Sequence, residues 1–149
     1  MERQIAFKLR MIAGMIAAAT MLFSAEAKKM EVDEAAVLKE ANEAYDSLEY
    51  ARAMELYMQI PENAEAQYKI GRMYLYKLGV EENYKEARKW FEKSAKQNYG
   101  KGLNGLGHIY ASGNGVKKDY TKAKKYFELA VEQGSIDAYG NLGYMYYSQ

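Results

Sequence analysis

One stretch of this chain repeats at a fixed interval of 36 residues, and this period restricts the fold more than any other feature. Residues 66–99 align with residues 102–135 without a gap. The matched positions share glycine, aromatic, valine or alanine residues: Gly71 and Gly107, Tyr74 and Tyr110, Gly79 and Gly115, Val80 and Val116, Tyr84 and Tyr120, Ala87 and Ala123, Trp90 and Tyr126, and Phe91 and Phe127. A third copy begins at Ala138 and repeats Leu142, Gly143 and Tyr146 in the same phase. Such self-similarity is typical of stacked repeat proteins.

The first half of each copy predicts a helix with a small residue on its packed face. Ile70, Gly71 and Tyr74 are one to four residues apart, which places them on one side of a helix. A glycine inside a helix costs about 1 kcal/mol relative to alanine. Because glycine recurs at Gly71, Gly107 and Gly143, we expect a neighbouring helix to approach closely at this position.

The second half of each copy predicts a turn followed by another helix. Gly79 and Gly115 lie between the helices, where a turn favours a positive φ. Asn83 and Asp119 are predicted N-caps, and Glu86 completes the spacing of a capping box with Asn83. The apolar stripe of the first such helix is wide enough to contact two neighbours: Tyr84, Ala87, Trp90, Phe91 and Ala95.

Upstream of the repeats, residues 34–48 and 50–59 predict a helix pair with a very short turn, ended by Pro61. Its second helix matches the repeat at a spacing of 34, because the glycine turn is missing: Tyr50, Ala53, Leu56 and Tyr57. We interpret this pair as an N-terminal cap. The predicted organisation is a signal peptide (1–27), the cap pair (28–61), two repeats (64–99 and 100–135) and a partial third repeat limited to its first helix (136–149).

The first 27 residues predict export. Basic residues lie in the first ten positions, residues 11–23 carry no charge, and Ala25 and Ala27 occupy the small positions of a cleavage site. Thirteen helical residues span about 20 Å, less than the ~30 Å of a bilayer core. We therefore expect cleavage after Ala27, a periplasmic or secreted product and no stable membrane insertion. An uncleaved, membrane-tethered chain remains the alternative.

Composition and charge limit the possible chemistry. The chain has no cysteine, so disulfides, thiolate metal sites and cysteine nucleophiles are excluded. The net charge is +1 without a long block of one sign, which does not suggest binding to nucleic acid. His108 is the only histidine, and its neighbours Ser112 and Asp119 do not by themselves indicate a catalytic triad. We expect no cofactor, no metal site and no enzymatic activity.

The repeats resemble the Sel-one-like repeat, a relative of the tetratricopeptide repeat. The second copy matches the family pattern at ten positions: Leu106, Gly107, Tyr110, Gly113, Gly115, Val116, Asp119, Lys122, Ala123 and Gly134. The first copy matches at seven: Ala66, Gly71, Tyr74, Gly79, Val80, Ala87 and Trp90. It departs from the pattern at Lys77, where the family has glycine, and at Asn83. The resemblance covers residues 66–149 and implies an all-α fold, a right-handed α/α solenoid whose members bind other proteins.

By analogy with tetratricopeptide packing, the inner face of the first helices is the expected partner-binding surface. The residues expected there vary between copies and are aromatic, basic or polar: Tyr68, Arg72, Tyr76, Asn104, His108, Ser112, Tyr144 and Tyr147. Such a mixture favours contact with a protein or peptide. The in-phase residues are assigned to the scaffold instead: Gly71, Tyr74, Gly79, Ala87, Gly107, Tyr110, Gly115, Ala123, Gly143 and Tyr146.

The predicted function is therefore an exported scaffold that binds another protein or peptide. An alternative, suggested only by exported disulfide-rich members linked to β-lactam binding or hydrolysis, is an enzyme or ligand-binding protein that acts on cell-wall material. The last helix carries an apolar face with no second helix over it. Either this helix caps the fold, or its open end binds a partner or a second copy, which would form a homodimer.

Overall fold

A computed structural model describes residues 32–147 and the isolated positions 11, 13 and 15. The predicted signal peptide otherwise lies outside the described residues, as do Ser148 and Gln149. The described part contains no strand and seven numbered helices: α1 (Glu34–Asp46), α2 (Tyr50–Tyr57), α3 (Ala64–Leu75), α4 (Tyr84–Lys96), α5 (Gly100–Ser112), α6 (Tyr120–Glu132) and α7 (Ile136–Tyr147). The predicted all-α fold is confirmed.

The helices pack as successive pairs, α1 with α2, α3 with α4 and α5 with α6. Each pair also contacts the next one, since α5 lies against both α3 and α4, and α7 lies against both α5 and α6. The apolar cores are formed at these contacts, where Tyr57, Phe91 and Phe127 are almost fully buried. No described helix is both long and apolar enough to cross a membrane.

The in-phase glycines of the first two copies lie directly under aromatic rings. A Cβ built on Gly71 would be 2.7 Å from Phe91 Cδ1, and one built on Gly107 would be 2.5 Å from Phe127 Cδ1. Both distances are shorter than real Cβ contacts, so only glycine lets the helices of each pair come this close. A Cβ built on Gly143 would have no atom within 4 Å in the described residues. The prediction that a neighbouring helix approaches closely is therefore wrong for this third glycine.

The turns between paired helices also place glycine where a side chain would not fit. Gly79 and Gly115 have φ values of 70° and 67°. A Cβ on Gly79 would be 2.5 Å from Tyr50 Cβ, and one on Gly115 would be 2.7 Å from Tyr84 Cβ. Each turn therefore lies on the start of the second helix in the preceding pair. Lys77, where the family pattern has glycine, also adopts a positive φ of 55°.

The predicted helix starts are confirmed at both second helices. Asn83 Oδ1 accepts a hydrogen bond from the backbone N–H of Glu86, and Asp119 Oδ1 accepts one from that of Lys122. The second half of the capping box is absent, because the backbone N–H of Asn83 donates to the carbonyl of Tyr74 at 3.0 Å. The Glu86 carboxylate instead lies 2.6 Å from the Lys89 ammonium.

The outward side of α7 is exposed and almost uncharged. Residues on it include Tyr139, Tyr146 and Tyr147, which are 60%, 56% and 92% exposed. Tyr146 therefore lacks the burial of Tyr110, its counterpart one period earlier, which is 9% exposed. The opposite side of α7 is packed through Ala138 and Met145.

Candidate protein-binding surface

The first helices of the successive pairs lie side by side. Asn42 in α1 donates a hydrogen bond to the Glu65 carboxylate in α3 at 2.9 Å. The amide of Asn141 in α7 donates to Asn104 Oδ1 in α5, also at 2.9 Å. These contacts join α1 to α3 and α5 to α7. We call the surface that α1, α3, α5 and α7 share the first-helix face.

Arg72 is the centre of an aromatic cluster on this face. Its guanidinium carbon lies 5.9 Å from the ring centroids of Tyr45 and Tyr68 and 5.6 Å from that of Tyr76. The Lys69 ammonium lies 4.2 Å from the Tyr45 centroid. Within the described residues, neither cation has a carboxylate oxygen within 4 Å. Arg72 is thus held by aromatic faces while its hydrogen-bonding capacity for an anion stays largely unused.

Burial shifts the pKa values of several side chains in and beside this cluster. It raises the pKa of the Tyr45 and Tyr68 hydroxyls, and the positive charge of Arg72 opposes this shift in both. Burial also raises the pKa of Tyr99, whose ring centroid lies 5.9 Å from that of Tyr68, to about 12. Desolvation lowers the pKa of Lys69. The hydroxyls of Tyr45, Tyr68 and Tyr99 therefore stay neutral at physiological pH.

A second group of predicted residues lines a cleft between α5, α6 and α7. The cleft has a volume of about 350 Å³ and includes His108, Ser112 and Tyr144, with Phe127 and Met145 as apolar walls. His108 Nδ1 is buried without a hydrogen-bond partner in the described residues, and desolvation lowers the pKa of its imidazole. The cleft can accept an apolar or aromatic side chain of a partner beside this unpaired nitrogen.

The geometry around His108 does not match a catalytic triad. Ser112 Oγ donates to the backbone carbonyl of His108 at 2.7 Å and not to the imidazole. The Asp119 carboxylate accepts the backbone N–H of Lys122 as an N-cap. The described residues also contain no group of three or more side chains suited to hold a metal ion.

The structure thus distributes the predicted residues over two groups. Tyr68, Arg72 and Tyr76 belong to the aromatic cluster. A second set lies at or beside the cleft: Asn104, His108, Ser112 and Tyr144. Tyr147 belongs to neither group.

Sequence reasoning missed Tyr45 and Lys69 in the cluster and Asn141 beside the cleft. Tyr45 is in the cap pair, whose 34-residue spacing hides its register with the repeats. The signal available for Lys69 and Asn141 was their shared position in the repeat, since they are two periods of 36 residues apart.

Paired helices that stack through repeated glycine–aromatic contacts define a helical-repeat solenoid. The chain belongs to the Sel1 repeat family, whose sequence model matches residues 64–99, 100–135 and 136–148. Proteins of this family are typically protein–protein interaction scaffolds and are generally non-catalytic. No curated protein matches the chain in sequence.

Solved structures of repeat proteins are similar to this chain. A Sel1 repeat protein from Oxalobacter formigenes is 33% identical over 73% of this chain and 44% of its own length, with a TM-score of 0.69. A protective antigen present in uropathogenic Escherichia coli strains, which has an SLR fold, is 35% identical over 65% of this chain and 21% of its own length, with a TM-score of 0.60. This chain therefore spans less than half the length of either protein.

Cysteine rich protein B of Helicobacter pylori is also similar, with 29% identity over 62% of this chain and 66% of its own length and a TM-score of 0.50. The present chain contains no cysteine. The two chains thus share the helical architecture, but no disulfide can hold it in this protein.

Proposed function

We propose that this chain is an exported scaffold that binds a protein or peptide through the first-helix face. The observation that carries this proposal is Arg72, which lies over three tyrosine rings and has no carboxylate within 4 Å in the described residues. Arginine and tyrosine are enriched at the energetically dominant positions of protein interfaces. Arg72 already hydrogen-bonds the Tyr68 side chain, and binding would add the carboxylate or carbonyl acceptors that its remaining N–H groups can take.

The rigidity of the cluster supports this role. Tyr68 packs on Phe91, with a centroid distance of 6.0 Å, so its ring is fixed against the core. A side chain that is already ordered loses little conformational entropy when a partner binds. The cleft at His108 lies further along the same row of helices and would hold a second side chain of an extended ligand.

Export is the second part of the proposal, and it rests on the pattern of the first 27 residues. The expected product begins at Lys28 and is periplasmic or secreted, with the cap pair, the two repeats and the partial third repeat as its domains. N-terminal sequencing of the exported protein tests this part. A mature N-terminus at Met1 in the membrane fraction would favour the membrane-tethered alternative.

A homodimer through α7 is a further element of the proposal. The outward side of α7 has Gly140 and Gly143 next to exposed tyrosines, and a Cβ on either glycine would meet no atom within 4 Å. Two copies of this tyrosine-rich face can pack on each other, with Lys124 and Glu128 of α6 at the edge of the contact beside Tyr146. Light scattering at high protein concentration tests this element, and a strictly monomeric mass excludes it.

Photo-crosslinking tests the binding surface directly. Tyr76 is 48% exposed at the edge of the aromatic cluster, so a benzophenone amino acid at position 76 should crosslink a bound partner. The same amino acid at the exposed position Lys125 is the control, because it is outside the first-helix face. We expect crosslinked species at position 76 that disappear in the Arg72→Ala background. Equal crosslinking from both positions would reject the face assignment.

A further inference from the structure

The two repeats carry opposite charges at matched positions of their turns. Glu81 and Glu82 precede the second helix of the first repeat, and Lys117 and Lys118 stand 36 residues later in the second repeat. Glu86 is likewise replaced by Lys122. Three carboxylates in one turn region therefore correspond to three ammonium groups in the next, although the backbone N–H of Asn83 donates to Tyr74 O just as that of Asp119 donates to Tyr110 O.

We call the region of Glu81, Glu82 and Glu86 the acidic turn and that of Lys117, Lys118 and Lys122 the basic turn. Local ion pairs reduce the charge of the acidic turn but not that of the basic turn. Lys77 Nζ lies 3.6 Å from Glu81 Oε2, and Lys89 Nζ lies 2.6 Å from Glu86 Oε1. In the basic turn, Lys122 Nζ donates to the hydroxyl oxygen of Tyr110 at 2.8 Å. Lys117 and Lys118 have no ion pair in the described residues.

These lysines border a cleft to which α4 contributes another cation. The cleft has a volume of about 630 Å³, and its lining includes Arg88, Lys117, Lys118 and Lys122. Arg88 Nε is buried and forms an ion pair with Glu92 Oε1 at 3.5 Å, although this contact is not a hydrogen bond.

One carboxylate, that of Asp119, lines the cleft, and it already accepts a hydrogen bond. Asp119 Oδ1 accepts the backbone N–H of Lys122 at 2.8 Å. The rings of Tyr110 and Tyr120 complete the walls, and Tyr120 is 58% exposed. Three lysines without an ion pair in the described residues, Arg88 with its pair to Glu92, one engaged carboxylate and two phenols make an environment complementary to negative charge.

We infer that this cleft binds an acidic segment of a protein partner, by contact of its carboxylates with Arg88, Lys117, Lys118 and Lys122. The inference rests on the proposed protein-binding function and adds a second contact surface of defined chemistry. A polypeptide is favoured over a nucleic acid because the chain as a whole carries a net charge of only +1.

Fluorescence anisotropy with the full chain and a fluorescein-labelled peptide rich in glutamate tests this inference. The decisive variant is K117E/K118E. Glutamate retains the Cβ and Cγ atoms of Lys118, so the packing of its Cγ near Gly113 is preserved. We expect about tenfold weaker binding of the peptide by this variant, and wild-type binding that weakens as salt rises from about 0.05 M to about 0.3 M.

The variant K39E/K96E is the matched control, since it makes the same change in net charge at two exposed lysines outside the cleft. Circular dichroism verifies that both variants fold. We expect the control to bind within about twofold of wild type. Equal weakening in both variants, or none in either, would overturn the inference.

A labelled single-stranded oligonucleotide of similar length separates the two classes of anionic partner. Binding of the oligonucleotide as tightly as the peptide, with the same loss in K117E/K118E, would overturn the assignment to an acidic polypeptide. The crosslinking experiment at position 76 tests a different surface from this cleft. Failure of the peptide assay together with specific crosslinking at position 76 would thus reject only this inference and leave the proposed function intact.

Discussion

Phe127 covers Gly107 so closely that no other residue fits at position 107: a Cβ there would be 2.5 Å from the ring. Phe127 is 2% exposed and has little room to move away. We expect Gly107→Ala to lower the free energy of unfolding, because overpacking of a core costs about 1–3 kcal/mol and exceeds the gain in helix propensity of about 1 kcal/mol. Urea unfolding followed by circular dichroism measures the change.

Gly143→Ala provides the matched control one period later. Its Cβ meets no atom within 4 Å, so only the helix propensity changes. We expect this variant to gain up to about 1 kcal/mol. A destabilised Gly143→Ala chain would mean that α7 is packed in solution by a contact absent from the described residues.

The hydroxyl of Tyr57 is expected to stabilise the cap pair. It donates to Asn42 Oδ1 at 2.7 Å, and the ring is fully buried. Tyr57→Phe leaves this acceptor without its donor and should lower the free energy of unfolding by about 1–2 kcal/mol. Tyr45→Phe is the control, because the Tyr45 hydroxyl is buried without a hydrogen bond in the described residues and its loss should cost nothing. Equal losses in the two variants would contradict this assignment.

Lys77 is expected to destabilise the turn after α3. Its φ of 55° is a left-handed conformation that costs a residue with a Cβ about 1–2 kcal/mol. Lys77→Gly removes this cost and should raise the melting temperature, even though it also removes the exposed pair with Glu81, which contributes little. The control Tyr76→Gly, at a φ of −111°, should lower the melting temperature.

His108 is expected to make stability depend on pH. Burial lowers its pKa below the ordinary value of 6.5, so the folded chain prefers the neutral imidazole. As pH falls, the unfolded chain takes up the proton first. This contribution to stability is therefore complete above about pH 6.5 and decreases below it. Urea unfolding at about pH 7.5 and about pH 5 should show a larger loss for wild type than for His108→Gln. The same loss in both chains would contradict a neutral, desolvated His108.

Much of the architecture can be predicted from the sequence because each structural feature of the repeat occurs in more than one copy. Gly71 and Gly107 share a phase, and both lie under a phenylalanine from the following helix. Asn83 and Asp119 cap their helices through their own side chains. These features depend on residues close in the sequence, where spacing alone determines which side chains meet.

Contacts between successive pairs could not be predicted in the same way. The contact of Gly79 with Tyr50 depends on how one helix pair packs against the next. No pattern of nearby residues in the sequence predicts this packing. The same limit applies to the candidate site. Arg72 was identified from its position, but Tyr45 reaches it from a helix outside the repeat register. Tyr146 is exposed, as expected for an in-phase residue that no following helix covers in the described residues.

The placement of each glycine turn on the preceding pair implies that the repeats of this protein can be lost or duplicated only in whole periods. Gly79 contacts Tyr50, and Gly115 contacts Tyr84 in the same way. We call each of these contacts between successive pairs a joint. A gene from which the codons for residues 84–119 were removed would encode a chain in which Gly71 meets Phe127 and every remaining joint is conserved. Loss or duplication, inside the repeats, of a number of codons that is not a multiple of 36 would shift the phenylalanines out of register with the glycines that they cover. Recombination between copies is therefore the mutational route to longer or shorter arrays that still fold.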